Sequence, residues 1–116
     1  STLHSLVAST ATADETAGLL YMYEEEKLAR DVYTQFFSLW GQTTFQSIAT
    51  SEQAHMDAIR LVLVTFGIAV PDLEAGIFND PELQALHDNL VNEGSLSLAD
   101  ALKVGAKIEE IDILFD

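Results

Sequence analysis

Two stretches of about 25 residues, 12–40 and 43–66, repeat apolar side chains at intervals of three and four, with only Gly41-Gln42 between them. A connection that short leaves no room for a crossover, so the two stretches are expected to form an antiparallel helical hairpin. In the first, Leu19, Met22, Tyr23, Glu26, Ala29, Arg30, Tyr33, Phe36, Phe37 and Trp40 share the inward phase. In the second, Phe45, Ile48, Ala49, Glu52, His55, Met56, Ile59, Val62, Leu63 and Phe66 do. Glu26, Glu52 and His55 break the apolar pattern on these stripes, where unpaired charge is costly. Glu52-Gln-Ala-His55 sends a carboxylate and an imidazole from one helical face, the spacing that holds one side of a metal ion. Glu26 offers a third donor from the facing helix.

The boundaries follow from local chemistry. Thr12-Ala-Asp-Glu15 has the spacing of a capping box, and Gly41 closes the first helix. The second begins at Thr43 or Thr44 and stops at Gly67. From Gly67 to Gly94 the pattern changes, punctuated by Pro71 and by Asn79-Asp80-Pro81. Pro81 at a first helical position, capped by Asp80 or Asn79, starts a short helix that uses Leu83, Leu86, Leu90 and Val91. We read this stretch as a crossover containing that helix. Ser97-Leu-Ala-Asp100 opens a last helix through Leu98, Ala101, Leu102, Gly105, Ile108, Glu109 and Asp112, with Glu109 inward and Glu110 outward. The expected organisation is an N-terminal tail over 1–11 and one all-α domain over 12–116.

Charge and composition narrow the function. Five Lys and Arg against nineteen Asp and Glu give a formal charge of -14, which excludes nucleic acid and an anionic membrane surface as direct partners. An acidic surface attracts cations, and it also serves plain solubility. With no cysteine, thiolate metal sites, disulfides and Cys nucleophiles are excluded. No apolar run approaches the roughly 20 residues of a membrane helix, so membrane insertion is not expected. The tail STLHSLVASTA reads as a free end or as the mature end left by signal removal, which leaves a soluble protein of the cytoplasm or of an exported fraction.

The phrases EEEKLARDVY on the first helix, SEQAHMDAI on the second and ALKVGAKIEEIDI on the last resemble the ferritin-like superfamily, in a rubrerythrin-like branch described as a domain of unknown function. The resemblance covers roughly 15–116. It implies a ferritin-like four-helix bundle with one long crossover, three of whose long helices this chain supplies. It also implies two iron ions held between carboxylates, with manganese an option in one or both positions. Glu26 matches the first-helix carboxylate, Glu52 the bridging carboxylate, His55 its imidazole partner and Glu109 the third-helix acid, with Asp112 one turn on. The expected chemistry is two-electron redox at iron, an oxidoreductase acting on dioxygen or peroxide. Carboxylates and imidazole suit iron and manganese, and no soft sulfur is offered. The last helix of the resembled bundle, which carries further ligands, has no counterpart before Asp116. The expectation is therefore a second polypeptide that supplies it, either a cleaved fragment of the same product or another subunit of a homo-oligomer.

Other residues carry plainer readings. Glu24 and Glu25 are expected on a solvated face, and Arg30 as counter-charge to a core carboxylate. Tyr33 and Tyr23 lie on the site face, where they could donate hydrogen bonds or electrons, although aromatic residues at this spacing also serve packing. Phe36, Phe37, Trp40 and Phe45 belong to the core, whereas His4 and His87 lack ligand spacing and are expected to be exposed. Two other function classes fit the same residues: an iron-binding or storage component without turnover, and a metal-free helical interaction module in which Arg30 and hydrogen bonds satisfy the acids.

Overall fold

The computed structural model describes residues 11–115, with side chains described through Ile111. Four helices follow one another: α1 (Ala13–Trp40), α2 (Thr43–Thr65), α3 (Pro81–Gly94) and α4 (Leu98–Phe115). There is no strand among the described residues. The architecture is the expected all-helical, bundle-like one, with α1, α2 and α4 as the long members. No described helix is long and apolar enough to cross a membrane.

The helix ends are set by the residues that the sequence singled out. Thr12 Oγ1 accepts from the Glu15 backbone N–H while the Glu15 carboxylate accepts from the Thr12 N–H, closing the capping box. Gly41 takes a left-handed φ of 69°, and its N–H donates to the Phe37 carbonyl, ending α1 and turning the chain into α2 within two residues. Asp80 caps α3 by accepting from the Glu82 and Leu83 N–H groups, with Pro81 in the first turn. Ser97 Oγ accepts from the Asp100 N–H at the head of α4.

The helices are not arranged as equals. α1 packs against α2, α3 and α4, and α3 packs against α4, whereas α2 has α1 as its helical neighbour. Residues 23–29 of α1 are consequently buried without a break. The main core joins Val32, Tyr33 and Phe36 of α1 to Phe45 of α2, Leu83 and Leu90 of α3, and Ala101, Val104 and Ile108 of α4. A smaller cluster of Tyr23, Met56 and Leu63 closes the other end of the hairpin.

This wrapping explains the largest departure from the sequence reading. Glu24 and Glu25 were expected in solvent, yet they are 5% and 4% exposed. Successive residues of a helix point about 100° apart, so three consecutive glutamates on a surrounded helix meet three different neighbours. Glu24 accepts from the Asn79 and Asp80 N–H groups, at 2.6 and 3.1 Å, where the chain enters α3. Glu25 turns toward a cavity lined by α3 and α4, and Glu26 turns toward α2.

Segment 66–80 is fastened to α1 by charge. Lys27, fully enclosed, donates at 2.8 Å to Asp31 Oδ2 and to the Glu74 and Ile77 carbonyls. Asp31 also accepts from the Gly76 N–H and from Arg30. Arg30 thus has the structural counter-charge role expected of it, with Asp31 as its carboxylate, and its other arm reaches Gln53. His87 corrects a further expectation: its side chain is only 11% exposed, its ring tilted at 45° against that of Phe78 with 5.2 Å between their centres. His4 lies outside the described residues.

At Gly94, α3 lies directly against a ring of α1. A Cβ there would stand 2.0 Å from Cζ of Phe36, a ring with no exposure. Gly94→Ala gains about 1 kcal/mol of helix propensity but forces that ring off its place, at roughly 1–3 kcal/mol or more. We expect a net loss of stability, read as a lower urea midpoint at unchanged slope. An unchanged or raised midpoint would mean that the α1–α3 contact yields freely.

Candidate metal centre

Glu26 on α1 and Glu52 and His55 on α2 meet across the hairpin. His55 Nδ1 lies 3.2 Å from Glu26 Oε2, a hydrogen bond when that nitrogen carries the proton, and 3.6 Å from Glu52 Oε2. One donor atom from each of the three falls within 4.8 Å of the others. Both carboxylates are 5% exposed, as their inward phase predicts, whereas the imidazole, expected to face inward with them, is 56% exposed and stands at the edge of the cluster, because the side of α2 that carries it opens onto a groove. The i, i+3 spacing on α2 therefore does what its geometry requires, and Glu26 arrives from the facing helix in register.

The chemistry of this donor set fits a hard or borderline cation. Metal–ligand bonds of about 2.1 Å put neighbouring donors of a coordination shell roughly 3 Å apart, near the 3.2 and 3.6 Å from His55 to the two carboxylates, within a trio that spans up to 4.8 Å. Two buried carboxylates repel each other, and a cation or a shared proton between them offsets that cost. With no cysteine in the chain, oxygen and imidazole nitrogen are the donors available.

The cluster is reached from an open groove of about 550 Å³ between α2 and α4. Thr44, Ser47 and Ser51 give it a hydroxyl-rich wall along α2, followed by Glu52 and His55. Glu109 borders it from α4, outside the close trio and exposed rather than inward. Its carboxylate accepts at 3.0 Å from the hydroxyl of buried Tyr33, which also lies 3.1 Å from the Gly105 carbonyl. Tyr33 therefore touches the groove lining through Glu109, as a residue beside the site. Tyr23 does not: its hydroxyl accepts from Arg60, which forms a two-pronged pair with Asp72. The Asp72 carboxyl is held below its ordinary pKa chiefly by its hydrogen bond with Arg60. The side chain of Asp112 lies outside the described residues.

The open side of the groove also corrects the stripe read from the sequence. Val62 and Phe66 follow His55 at seven and eleven residues and share its face of α2. They are 39% and 37% exposed, as Met22 is 40% and Leu102 53%, and among the described helices none covers that face. Periodicity finds which residues share a stripe. It does not say whether anything lies over it.

A helical bundle with a cluster of two acids and a histidine at one groove is the class of protein defined so far. Residues 15–116 match the family described as an uncharacterized protein domain, DUF2202. The chain belongs to that family. It is 43% identical over 113 residues to the uncharacterized protein MJ0754 of Methanocaldococcus jannaschii, spanning 96% of this chain and 61% of that protein. The crystal structure titled hypothetical protein MJ0754 from Methanococcus jannaschii superposes with a TM-score of 0.87 at 43% identity, over 92% of this chain and 62% of that one. The chain thus spans less than two thirds of the length of the relative it matches.

Proposed function

We propose that this chain is the metal-binding part of a ferritin-like, rubrerythrin-like diiron carboxylate protein, an oxidoreductase acting on dioxygen or peroxide. The observation that carries the reading is the meeting of Glu26, Glu52 and His55 within 4.8 Å, with both carboxylates buried. Bound iron, or manganese in its place, would supply two-electron redox chemistry. The residues supply the rest: Glu26 and Glu52 hold the cation from two helices, and His55 adds an imidazole whose exposed edge faces the groove. Tyr33 orients Glu109 at the opposite wall, where that carboxylate borders the path to the trio. Asp112 is proposed to add a further acid one turn beyond Glu109.

In this reading the groove receives a further helix, from a second polypeptide or a second copy of the chain, that contributes the remaining ligands. The exposed apolar side chains of Met22, Val62, Phe66 and Leu102 suit burial under such a helix.

The test is metal analysis of the purified chain after anaerobic loading with Fe(II), followed by admission of dioxygen or peroxide. We expect stoichiometric iron and consumption of the oxidant. Iron that binds and oxidises once without sustained turnover would indicate storage instead. Absence of binding by Fe(II) or Mn(II) would overturn the metal centre altogether.

A further inference from the structure

The chain carries five lysines and arginines against nineteen acids, yet three of those five line one small pocket. It holds about 180 Å³ between α1 and α2, bordered by residues 71–73. Tyr23, Lys27 and Arg30 line it from one face of α1, at i, i+4 and i+7, and Gln53 and Arg60 from one face of α2, seven residues apart. Asp31 is the ion-pair partner of both Lys27 and Arg30, so one carboxylate answers two cations. Among the described residues this leaves one positive charge in excess. Lys27 uses its three donors inside the protein, so an arriving anion meets that excess at the half-exposed Arg30. Donors also remain. Each arginine makes three hydrogen bonds among the described residues, Arg30 to Asp31 and Gln53, and Arg60 to Asp72 and Tyr23. A guanidinium has five N–H groups, which leaves two on each for a ligand, and the Tyr23 hydroxyl, accepting from Arg60, keeps its own proton to donate.

We propose that this pocket binds a small tetrahedral oxyanion, phosphate or a compact phosphate monoester, held between Arg30 of α1 and Arg60 of α2 with the Tyr23 hydroxyl as a further donor. Guanidinium forks suit phosphate and carboxylate oxygens alike, but one fork satisfies a planar carboxylate, whereas a tetrahedral group directs oxygens toward two helices at once. A cavity of roughly 150 Å³ holds a six-membered ring, so phosphate fits this one and a nucleotide does not lie wholly inside. Asp72 is an internal competitor, because its carboxylate occupies both prongs of Arg60 and repels an arriving anion. The site is separate from the metal centre, since no residue lines both this pocket and the acidic groove. The net charge of -14 repels anions from the rest of the surface, which confines binding to this place.

Inorganic phosphate, methyl phosphate and acetate are titrated into the whole metal-free chain at constant ionic strength while the side-chain Nε–H NMR signals of Arg30 and Arg60 are followed. We expect saturable shifts of both with inorganic phosphate, and binding at least about tenfold weaker for acetate. Saturation by methyl phosphate as well extends the site to phosphate monoesters, and saturation by inorganic phosphate alone limits it to the free ion. Arg60→Gln removes charge-assisted hydrogen bonds and should weaken phosphate at least about tenfold. Asp72→Asn removes the competitor and should tighten it roughly threefold or more. Both positions are exposed, so circular dichroism should stay helical in each variant. Opposite responses from the two halves of one ion pair are what a purely structural pair would not produce. Undiminished binding in Arg60→Gln, binding no tighter in Asp72→Asn, or acetate bound as tightly as phosphate would each overturn the assignment. So would the absence of any saturable shift in a chain that remains folded.

Discussion

Chains carrying Glu52→Ala or His55→Ala should retain their helical content and lose their metal, with occupancy falling by more than about tenfold at limiting Fe(II) or Mn(II). The magnitude is bounded from below by general experience, since changing only the hydrogen-bond partner of a ligand already costs roughly 10- to 100-fold in affinity. Without metal, Glu52→Ala should leave stability nearly unchanged or raise it, because it removes one of two crowded carboxylates, whereas His55→Ala takes away the hydrogen-bond partner of Glu26 and should lower stability slightly. Leu63→Ala provides the contrast. Leu63 has no exposure and sits in the second cluster with Tyr23 and Met56, so its truncation should cost about 2–5 kcal/mol and leave metal occupancy unchanged. Elemental analysis of the three variants beside the parent chain, with far-ultraviolet circular dichroism, separates the effects. Equal metal content in the parent and both site variants would remove Glu52 and His55 from the ligand set, and with them the proposed function.

What the sequence could disclose depended on how local the cause was. Helix ends were legible because a cap is a contact between residues three or four apart: Thr12 with Glu15, Asp80 with Leu83, Ser97 with Asp100. The trio was legible because Glu52 and His55 are one turn apart and the hairpin fixes which face of α1 meets them. Burial of Glu24 and Glu25 was not, because a charge run reads as a solvated face only if the helix has one, and α1 is surrounded along residues 23–29. The exposed stripe from Val62 to Phe66 failed for the opposite reason, since an apolar phase says nothing about whether a neighbour covers it. His87 was judged by its lack of ligand spacing, whereas its surroundings are decided by Phe78, nine residues away. Lys27 and Asp31 were missed although their i, i+4 spacing is visible in KLARD, because their true partners lie some fifty residues on.

That pair sets the second large effect. Lys27 uses all three of its ammonium hydrogens, on Asp31 Oδ2 and on the Glu74 and Ile77 carbonyls, and its charge also stands 4.2 Å from the Phe78 ring centre. Lys27→Met keeps the length of the stem and removes every one of these contacts, leaving two carbonyls that must find water and a carboxylate that retains only Arg30 and the Gly76 N–H. Breaking a buried ion pair on one side costs about 3–5 kcal/mol, a fifth or more of the roughly 5–15 kcal/mol that holds a typical domain together. Arginine should not rescue it, because a planar guanidinium cannot place three donors where a compact ammonium does. Lys27→Met combined with Asp31→Leu should recover part of the loss, as replacing both charges of a buried pair by apolar groups often does, but not all, because Gly76 and Arg30 then lose their acceptor. Urea unfolding gives the totals, and amide hydrogen exchange at Gly76, Asn79 and Asp80 locates the damage in segment 66–80. A loss under about 1 kcal/mol for Lys27→Met, the level of an ordinary exposed pair, would show that this segment is held to α1 by packing and not by Lys27.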